Sequence, residues 1–325
     1  MQIVDFTAAH IEQAAQIAKL NYDEERRAVP ALPPVDAIPG LTQYAENGLG
    51  VAAFENDTML GYLCALGPFS NAFRSTDAIG VFSPMGANGA ILDNRAYIYA
   101  RMYQAAGDKW VRAGASSHAV CLYAHDTESQ NQLFRYGFGQ RCVDAIRELG
   151  DVACPPCNGY SIRKVTLDDA LIVLPLENML HRSYIESPFF LLRSELTETG
   201  WLEYWQESKP TCYVAEYDNL PVAFIIAELD GENFLQNTPG YQHITGLFCI
   251  PEHRGKWVSQ NLLNALIREE NANGKTRLGV DYESINPSGA GFWQKYFTEY
   301  THSVVRRIDE HALPQKKNRQ RNVEL

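Results

Sequence analysis

Five landmarks recur in the same order in the two halves of this 325-residue chain. Ile3-Val4-Asp5-Phe6-Thr7 leads into a helical run over 8–21, and Tyr160-Ser161-Ile162-Arg163-Lys164-Val165-Thr166 leads into another. Each reads as a short strand with a threonine at the N-cap of the following helix. Val51-Ala52-Ala53-Phe54, then Asn56-Asp57, then Gly61-Tyr62-Leu63-Cys64 is a hairpin pattern. Its echo is Tyr213-Val214-Ala215-Glu216, Asp218-Asn219 and Val222-Ala223-Phe224-Ile225-Ile226. Apolar strands end at Pro84 and Pro251, and an amphipathic helix follows each. Finally Leu133 to Phe138 aligns with Phe292 to Phe297. Thr7 and Thr166 stand 159 apart (166 − 7), as do Phe138 and Phe297 (297 − 138). One such match means little in any α/β chain, but five in one order indicate two copies of a single module. The expected organisation is a first domain at 1–150, a linker at 151–159, a second domain at 160–313 and a basic tail at 314–325.

A formal charge of −11 argues against a nucleic-acid-binding body, because phosphate neutralisation needs clustered Lys and Arg. The basic run Lys316, Lys317, Arg319 and Arg321 reads as a solvated tail. No basic segment followed by an apolar run opens the chain, and no apolar stretch approaches the ~20 residues of a membrane span. The cytoplasm, with no membrane partner, is the expectation. Seven cysteines, several in apolar stretches, read as reduced core thiols. Cys154-Pro155-Pro156-Cys157 has no second Cys pair or paired His to complete a metal site, so no metal is expected.

Chemistry concentrates in Leu247-Phe248-Cys249-Ile250-Pro251-Glu252-His253-Arg254-Gly255-Lys256-Trp257-Val258-Ser259. A buried strand enters a turn, and a helix with apolar Leu262, Leu263, Leu266 and Ile267 leaves it. Backbone N–H groups at such a helix N-terminus form an anion cradle, to which Arg254 and Lys256 add charge. The equivalent loop of the first half, Pro84 to Ala90, carries no Arg or Lys. That copy is therefore read as structural or substrate-shaping.

This segment resembles the GNAT superfamily of acyl-CoA-dependent acyltransferases. Their signature after the fourth strand is Arg or Gln, two residues, Gly, one residue, then Gly or Ala. Arg254 matches the first position, Trp257 replaces the first signature glycine and Ser259 replaces the second. The resemblance extends to Asn286 after the strand Leu278-Gly279-Val280-Asp281-Tyr282, and to the aromatic segment Phe292-Trp293-Gln294-Lys295-Tyr296-Phe297. It implies an α/β (α+β) fold of two tandem domains, each a mixed, mostly antiparallel sheet flanked by helices. It also implies acetyl-CoA as cofactor. A bulged fourth strand splayed from the fifth would hold the pantetheine arm along Leu247, Phe248 and Cys249. Pyrophosphate would rest on Arg254, Gly255, Lys256, Trp257, Val258 and Ser259, with Asn286 and Trp293 beside the arm.

Transfer to an amine needs a base, stabilisation of the carbonyl oxygen and often an acid for the thiolate. In many family members a tyrosine of the last helix is that acid; the matching position here is Trp293, which cannot act so near neutral pH. Tyr296, one turn on, is the candidate instead, with core packing as the bland alternative. Glu228, ending the third strand, and His243, beginning the fourth, are the candidate bases. The favoured reading is an N-acetyltransferase acting on an amine of a small molecule or peptide, as a monomer or homodimer. A non-catalytic acyl-CoA sensor is the alternative, since Trp257 and Trp293 both permit it. An aminoacyl-tRNA-dependent transferase is disfavoured by the charge.

Overall fold

The computed structural model of this chain describes residues 1–72, 78–229, 231 and 233–314. The basic tail anticipated from Lys316 to Arg321 lies outside them. The first half forms β1 (Gln2–Asp5), α1 (Ile11–Ala28), α2 (Leu41–Glu46), β2 (Val51–Glu55), β3 (Thr58–Leu63), β4 (Leu66–Phe69), β5 (Gly80–Ser83), β6 (Asn88–Ala90), α3 (Arg95–Arg112), β7 (Ser117–Tyr123), α4 (Thr127–Arg135) and β8 (Gly139–Glu148). The second forms β9 (Tyr160–Val165), α5 (Leu174–Ser183), α6 (Glu198–Ser208), β10 (Thr211–Tyr217), β11 (Leu220–Glu228), β12 (Tyr241–Cys249), α7 (Val258–Ala272), β13 (Arg277–Glu283), α8 (Pro287–Trp293) and β14 (Thr298–Arg307). The repeat read from the landmarks is thus a repeat of elements (strand, two helices, hairpin, strand, long helix, strand, short helix, strand), to which the first half adds the short strands β4 and β6.

Local chemistry explains the matched starts and turns. Thr7 and Thr166 are both extended N-cap residues of short 3₁₀ turns. Each cap is closed reciprocally: the Thr7 N–H donates to His10 Nδ1 (3.1 Å), and the Thr166 N–H to Asp169 Oδ1 (2.7 Å). The β10–β11 hairpin turns through Asp218 and Asn219, both at positive φ, the backbone that matches the twist of the paired strands.

The chain packs as two compact units. One joins Met1–Val143 to the segment that begins at Glu299; the other is Asp144–Thr298. These units do not divide the chain at 151–159. β14, last in sequence, pairs antiparallel with β7 from Thr301 opposite Tyr123 to Arg307 opposite Ser117, and so belongs to the first unit. Residues 144–148 of β8 belong to the second, which holds the order β13-β12-β11-β10-β9. The last strand of the second repeat therefore completes the first unit, whereas β8 is divided between the two at Val143 and Asp144. The start of the anticipated linker is itself fastened down: Asn264 of α7 accepts from the Val152 N–H (2.6 Å) and donates to its carbonyl (2.8 Å).

In the first unit α3 lays Ile98, Met102, Tyr103 and Trp110 on Leu63, Val81, Val120 and Leu122, with Val304 of β14 in the same cluster. In the second, Leu174 and Leu176 of α5 and Trp201 and Trp205 of α6 cover Val214, Phe224, Ile226 and Phe248. The other face is covered by α7, whose Val258, Leu262, Leu263, Leu266 and Ile267 are all buried. No helix among the described residues is long and apolar enough to cross a membrane.

One buried group ties the first unit's stability to pH. His118 of β7 is fully buried, its Nδ1 2.9 Å from the Tyr103 hydroxyl, and burial depresses its pKa to about 4. The folded state holds this ring neutral, whereas the unfolded chain protonates it near pH 6.5. Stability present above about pH 6.5 is therefore lost as pH falls toward 4, by on the order of 3 kcal/mol at most. Thermal unfolding of His118→Asn across that window is expected to show a flatter pH dependence than the wild type; an unchanged slope would assign the acid sensitivity elsewhere.

Candidate active site

The second unit is built around an interrupted ladder. β12 pairs antiparallel with β11 along its length, from His243 opposite Glu228 to Cys249 opposite Ala223. Ile226 faces Gly246 but Ala227 faces Ile244, so Thr245 is an extra residue, a bulge. On its other side β12 pairs parallel with β13 only from Tyr241–Arg277 to Ile244–Val280. The ladder ends at the bulge. Among the described residues no strand pairs with that edge of β12 from Thr245 to Cys249, so its outward backbone groups, apart from the Cys249 carbonyl that Arg254 takes, are open to an extended ligand. Leu247, Phe248 and Cys249 all lie on this stretch. The Cys249 thiol is pushed up to about 11 by burial, partly offset by Arg254 and Lys256, so it is no nucleophile near neutral pH.

Past the strand, Pro251–His253 makes a 3₁₀ turn and Gly255 takes φ 75°. Trp257 follows at φ 65°, ψ 9° as N-cap of α7. A tryptophan, 43% exposed as a residue, therefore occupies the left-handed backbone that a glycine takes without cost. The first amides of α7, at Val258, Ser259 and Gln260, point out of the helix end. Two contacts hold the loop in place. Arg254 Nε donates to the Cys249 carbonyl (2.9 Å) with its guanidinium 5.8 Å from the Phe248 ring centre. His253 Nδ1 meets the Tyr160 hydroxyl at 2.7 Å, and its ring packs against Tyr160 and Tyr217.

Facing α7 is α8. Asn286 is its N-cap, and its Oδ1 accepts from the Gly289 N–H and the Ser288 hydroxyl, both at 2.9 Å. Trp293 is buried, edge-on to Phe292 and Phe297. Tyr296 is only half-buried, and its hydroxyl accepts from Gln260 Nε2 (3.2 Å) in the first turn of α7. Of the two aromatic candidates, Trp293 serves the core and Tyr296 reaches the loop.

Opposite the bulge, on the sheet face covered by α5 and α6, polar groups gather. Alternation along β11 puts Glu228 on the face of Phe224 and Ile226, and His243 lies opposite it. His243 is no solvated strand end. Its side chain is 2% exposed, with Nδ1 2.8 Å from the Tyr241 hydroxyl and Nε2 2.9 Å from Asp281 Oδ1. Glu228 meets the Tyr204 hydroxyl of α6, which also reaches Thr245; burial and then the Glu228 charge hold that phenol far above its ordinary value. Glu177 of α5 lies over Gly246, 3.6 Å from where a Cβ would stand, and its Oε1 is 3.3 Å from His181 Nε2. That contact raises the His181 pKa. Further out, Arg193 stacks on Tyr184 (4.0 Å) and pairs with Glu283 (3.6 Å). Glu177, Tyr204, Tyr241 and Asp281 escape a reading of motifs. For Asp281 a signal existed, an aspartate amid the apolar strand from Leu278 to Tyr282.

The first unit has the same strand-to-helix step, differently filled. β5 and β7 pair in parallel up to Ser83–Val120. Immediately beyond, Asn88 Nδ2 donates to the Cys121 carbonyl and to Ser83 Oγ, both at 3.0 Å, and accepts at Oδ1 from the Tyr99 hydroxyl (2.7 Å). Residues 85–90 are buried. Asn94 caps α3 at φ 57°, as Trp257 caps α7, but Arg95 follows, buried beside Glu24 (2.9 Å) and Asp126 (3.6 Å). The cation at this helix start is thus buried and paired, whereas Arg254 and Lys256 of the second unit are exposed.

Known proteins bear on this geometry. No curated protein matches the chain in sequence. The sequence model described as "Acetyltransferase (GNAT) family" matches residues 177–297. Among solved structures, a GCN5-related N-acetyltransferase from Sphaerobacter thermophilus is 13% identical. It covers 94% of this chain and 95% of its own, with a TM-score of 0.56. A GCN5-related N-acetyltransferase from Kribbella flavida is 13% identical over 96% of this chain and 72% of its own (TM-score 0.40). A tandem GNAT protein from the clavulanic acid biosynthesis pathway is 12% identical over 94% and 98% (TM-score 0.43). At such identities the Sphaerobacter likeness speaks to fold, and it does so along nearly the whole chain. The family match falls within the unit that holds the interrupted ladder, whose sequence is similar there to acetyltransferases of the GNAT family.

Proposed function

We propose that the second unit binds acetyl-CoA and transfers its acetyl group to an amine of a small molecule or peptide. The observation that carries this reading is the ladder ending at Ile244–Val280, with a free strand edge leading to an uncapped helix end. The residues present fit the group: a strand edge for an amide-bearing arm, outward amides for pyrophosphate, and exposed Arg254 and Lys256 for its charge. Bound acetyl-CoA supplies an activated thioester carbonyl. Backbone along Leu247, Phe248 and Cys249 orients it, the amides of Val258 and Ser259 hold the phosphates, and Asn286 keeps its Nδ2 for the arm while its Oδ1 caps α8. Glu228 and Glu177 give the acceptor face a negative character suited to an ammonium group. The buried Trp293 at the usual acid position favours a second reading, an acyl-CoA sensor without turnover.

Calorimetry with acetyl-CoA, then thiol release with n-butylamine, 1,4-diaminobutane and phenethylamine, separates the two. Binding with no release from any amine would establish the sensor. One molecule should bind per chain, and Arg254→Ala or Lys256→Ala should weaken it by about 1–3 kcal/mol. Two sites per chain, or unchanged affinity in both variants, would overturn the placement. Tyr296→Phe should lower kcat about 10²-fold with affinity nearly unchanged, as for a group that serves the departing thiolate; full turnover would return Tyr296 to packing.

Trp257→Gly should act in opposite directions on folding and binding. Left-handed backbone costs a non-glycine residue about 1–2 kcal/mol, and glycine's extra chain entropy returns about 0.5–1 of it. The free protein should gain up to about 1 kcal/mol, while loss of the indole over the cofactor weakens binding several-fold. Lower stability in the variant would show that the indole belongs to the core.

A further inference from the structure

We infer that Asp281 is the group that takes the amine proton, and that His243 and Tyr241 are positioning residues that fix its carboxylate. The inference rests on the acetyl-transfer reading of this site and adds its base.

Three observations converge. Asp281 is the first residue of β13 past the last rung, Ile244–Val280, so it stands on the strand that bounds the opening. Gly279, two residues earlier, lies opposite His243 in the ladder, and a Cβ there would collide with the Tyr241 hydroxyl. Tyr241, His243 and Asp281 thus share the acceptor face, where alternation places residues 279 and 281 together. Burial then separates their roles. The His243 side chain is 2% exposed and that of Asp281 is 32% exposed, so only the carboxylate reaches a ligand. His243 is shut in by the stacked Tyr241 ring on one side and backed by Gly231 on another.

An ionised carboxylate only accepts, so His243 Nε2–H donates to Asp281, while Nδ1 is held by the Tyr241 hydroxyl. The tyrosine fixes the ring and the ring aims the carboxylate. The other candidates stand less well. Glu228 lies on β11, across β12 from the opening, and is engaged by Tyr204. Glu177 meets His181 through Oε1 and keeps a buried, unpartnered Oε2 over Gly246, on β12 rather than on the strand that bounds the opening, and Glu283 pairs with Arg193. The Tyr184 phenol, stacked under Arg193 and raised to about 12 chiefly by burial, also lies within electrostatic reach of Asp281.

In the step itself, the lone pair of a neutral amine forms the N–C bond to the thioester carbonyl carbon and the C–S bond breaks, its electron pair leaving on sulfur. The N–H proton passes to Asp281, which returns it to solvent on its exposed side. Sulfur receives a proton from Tyr296, itself replenished from water.

The test uses the full chain with acetyl-CoA and whichever of the three named amines turns over fastest. Asp281→Asn, nearly isosteric, should lower kcat at least ~100-fold, remove the acidic limb of the kcat/KM–pH profile, and leave acetyl-CoA affinity by calorimetry within about two-fold. His243→Asn and Tyr241→Phe should lower kcat roughly 10-fold and displace that limb without abolishing it, with KM for acetyl-CoA unchanged. Asp281→Asn retaining wild-type kcat and the same limb would overturn the assignment while acetyl transfer stands. Loss of the limb in His243→Asn but not in Asp281→Asn would make the histidine the base and overturn it equally. A wild-type chain that binds acetyl-CoA but acetylates none of the amines and releases no thiol to water would refute the reading beneath it.

Discussion

The second unit depends on a hydrogen-bond ladder that stops. Parallel strands normally satisfy each other's backbone along their whole overlap, and an unpaired buried amide or carbonyl is costly. Here β12 gains one residue at Thr245 and turns away from β13 after a single run of four paired positions, Tyr241 to Ile244. The bulge has two effects. It opens one strand edge toward solvent, and it resets which side chains face α5 and α6, bringing Gly246 under Glu177 and His243 beside Glu228. The open strand edge and the gathering of polar groups under α5 and α6 both stem from one inserted residue.

The first unit shows what the same framework does when the gap is closed. The carbonyl of Cys121, the first past its ladder, is satisfied by Asn88, which is itself gripped by Tyr99 and Ser83. The Asn21 side chain meanwhile brackets Ala90 by accepting from its N–H and donating to its carbonyl. The Asn88 amide is thus engaged at both ends, by donation to Cys121 and Ser83 and acceptance from Tyr99. At the corresponding helix start, Arg95 between Glu24 and Asp126 supplies an internal ion pair where a phosphate acceptor would need open amides and unpaired cations. The backbone turn is retained, down to the left-handed cap at Asn94, while the chemistry around it is reversed.

Much of this architecture is legible in sequence, and the limits are physical. Period-two and helical patterning locates the elements, because burial imposes it residue by residue. The hairpin turn at Asp218-Asn219 and the caps at Thr7 and Thr166 are readable for the same reason: each is a local interaction between residues close in sequence. The crossing of β14 into the first unit is not readable. β8 and β14 have similar patterns, and where each belongs depends on pairing between positions such as Thr301 and Tyr123, which no local signal encodes. His243 stands out as a candidate, but its burial is invisible in sequence, since that depends on Tyr241 stacking and on Asp281 arriving from another strand. Glu177 and Tyr204 do not stand out at all. Both sit on helices whose apolar neighbours, Leu174 and Leu176 or Trp201 and Trp205, dominate the pattern and conceal one polar group aimed at the sheet.

Trp257 shows why a departure from a motif needs its backbone before it can be judged. As a letter, tryptophan in place of glycine suggests a damaged loop. In the structure the φ of 65° persists, so the turn demanded by the path from Arg254 into α7 outweighs the preference of the residue. Two anchors make that possible. Arg254 ties the loop to the end of β12, and His253 ties it to Tyr160 on β9. The chain therefore enters Trp257 from a fixed direction and leaves it as a 15-residue helix held by the buried Val258, Leu262 and Leu263. Strain of this kind survives only where surrounding contacts over-determine the conformation. A loop held against the preference of its own residue, with amides facing outward and a tryptophan left 43% exposed, is organised around presenting that helix end rather than around burying it.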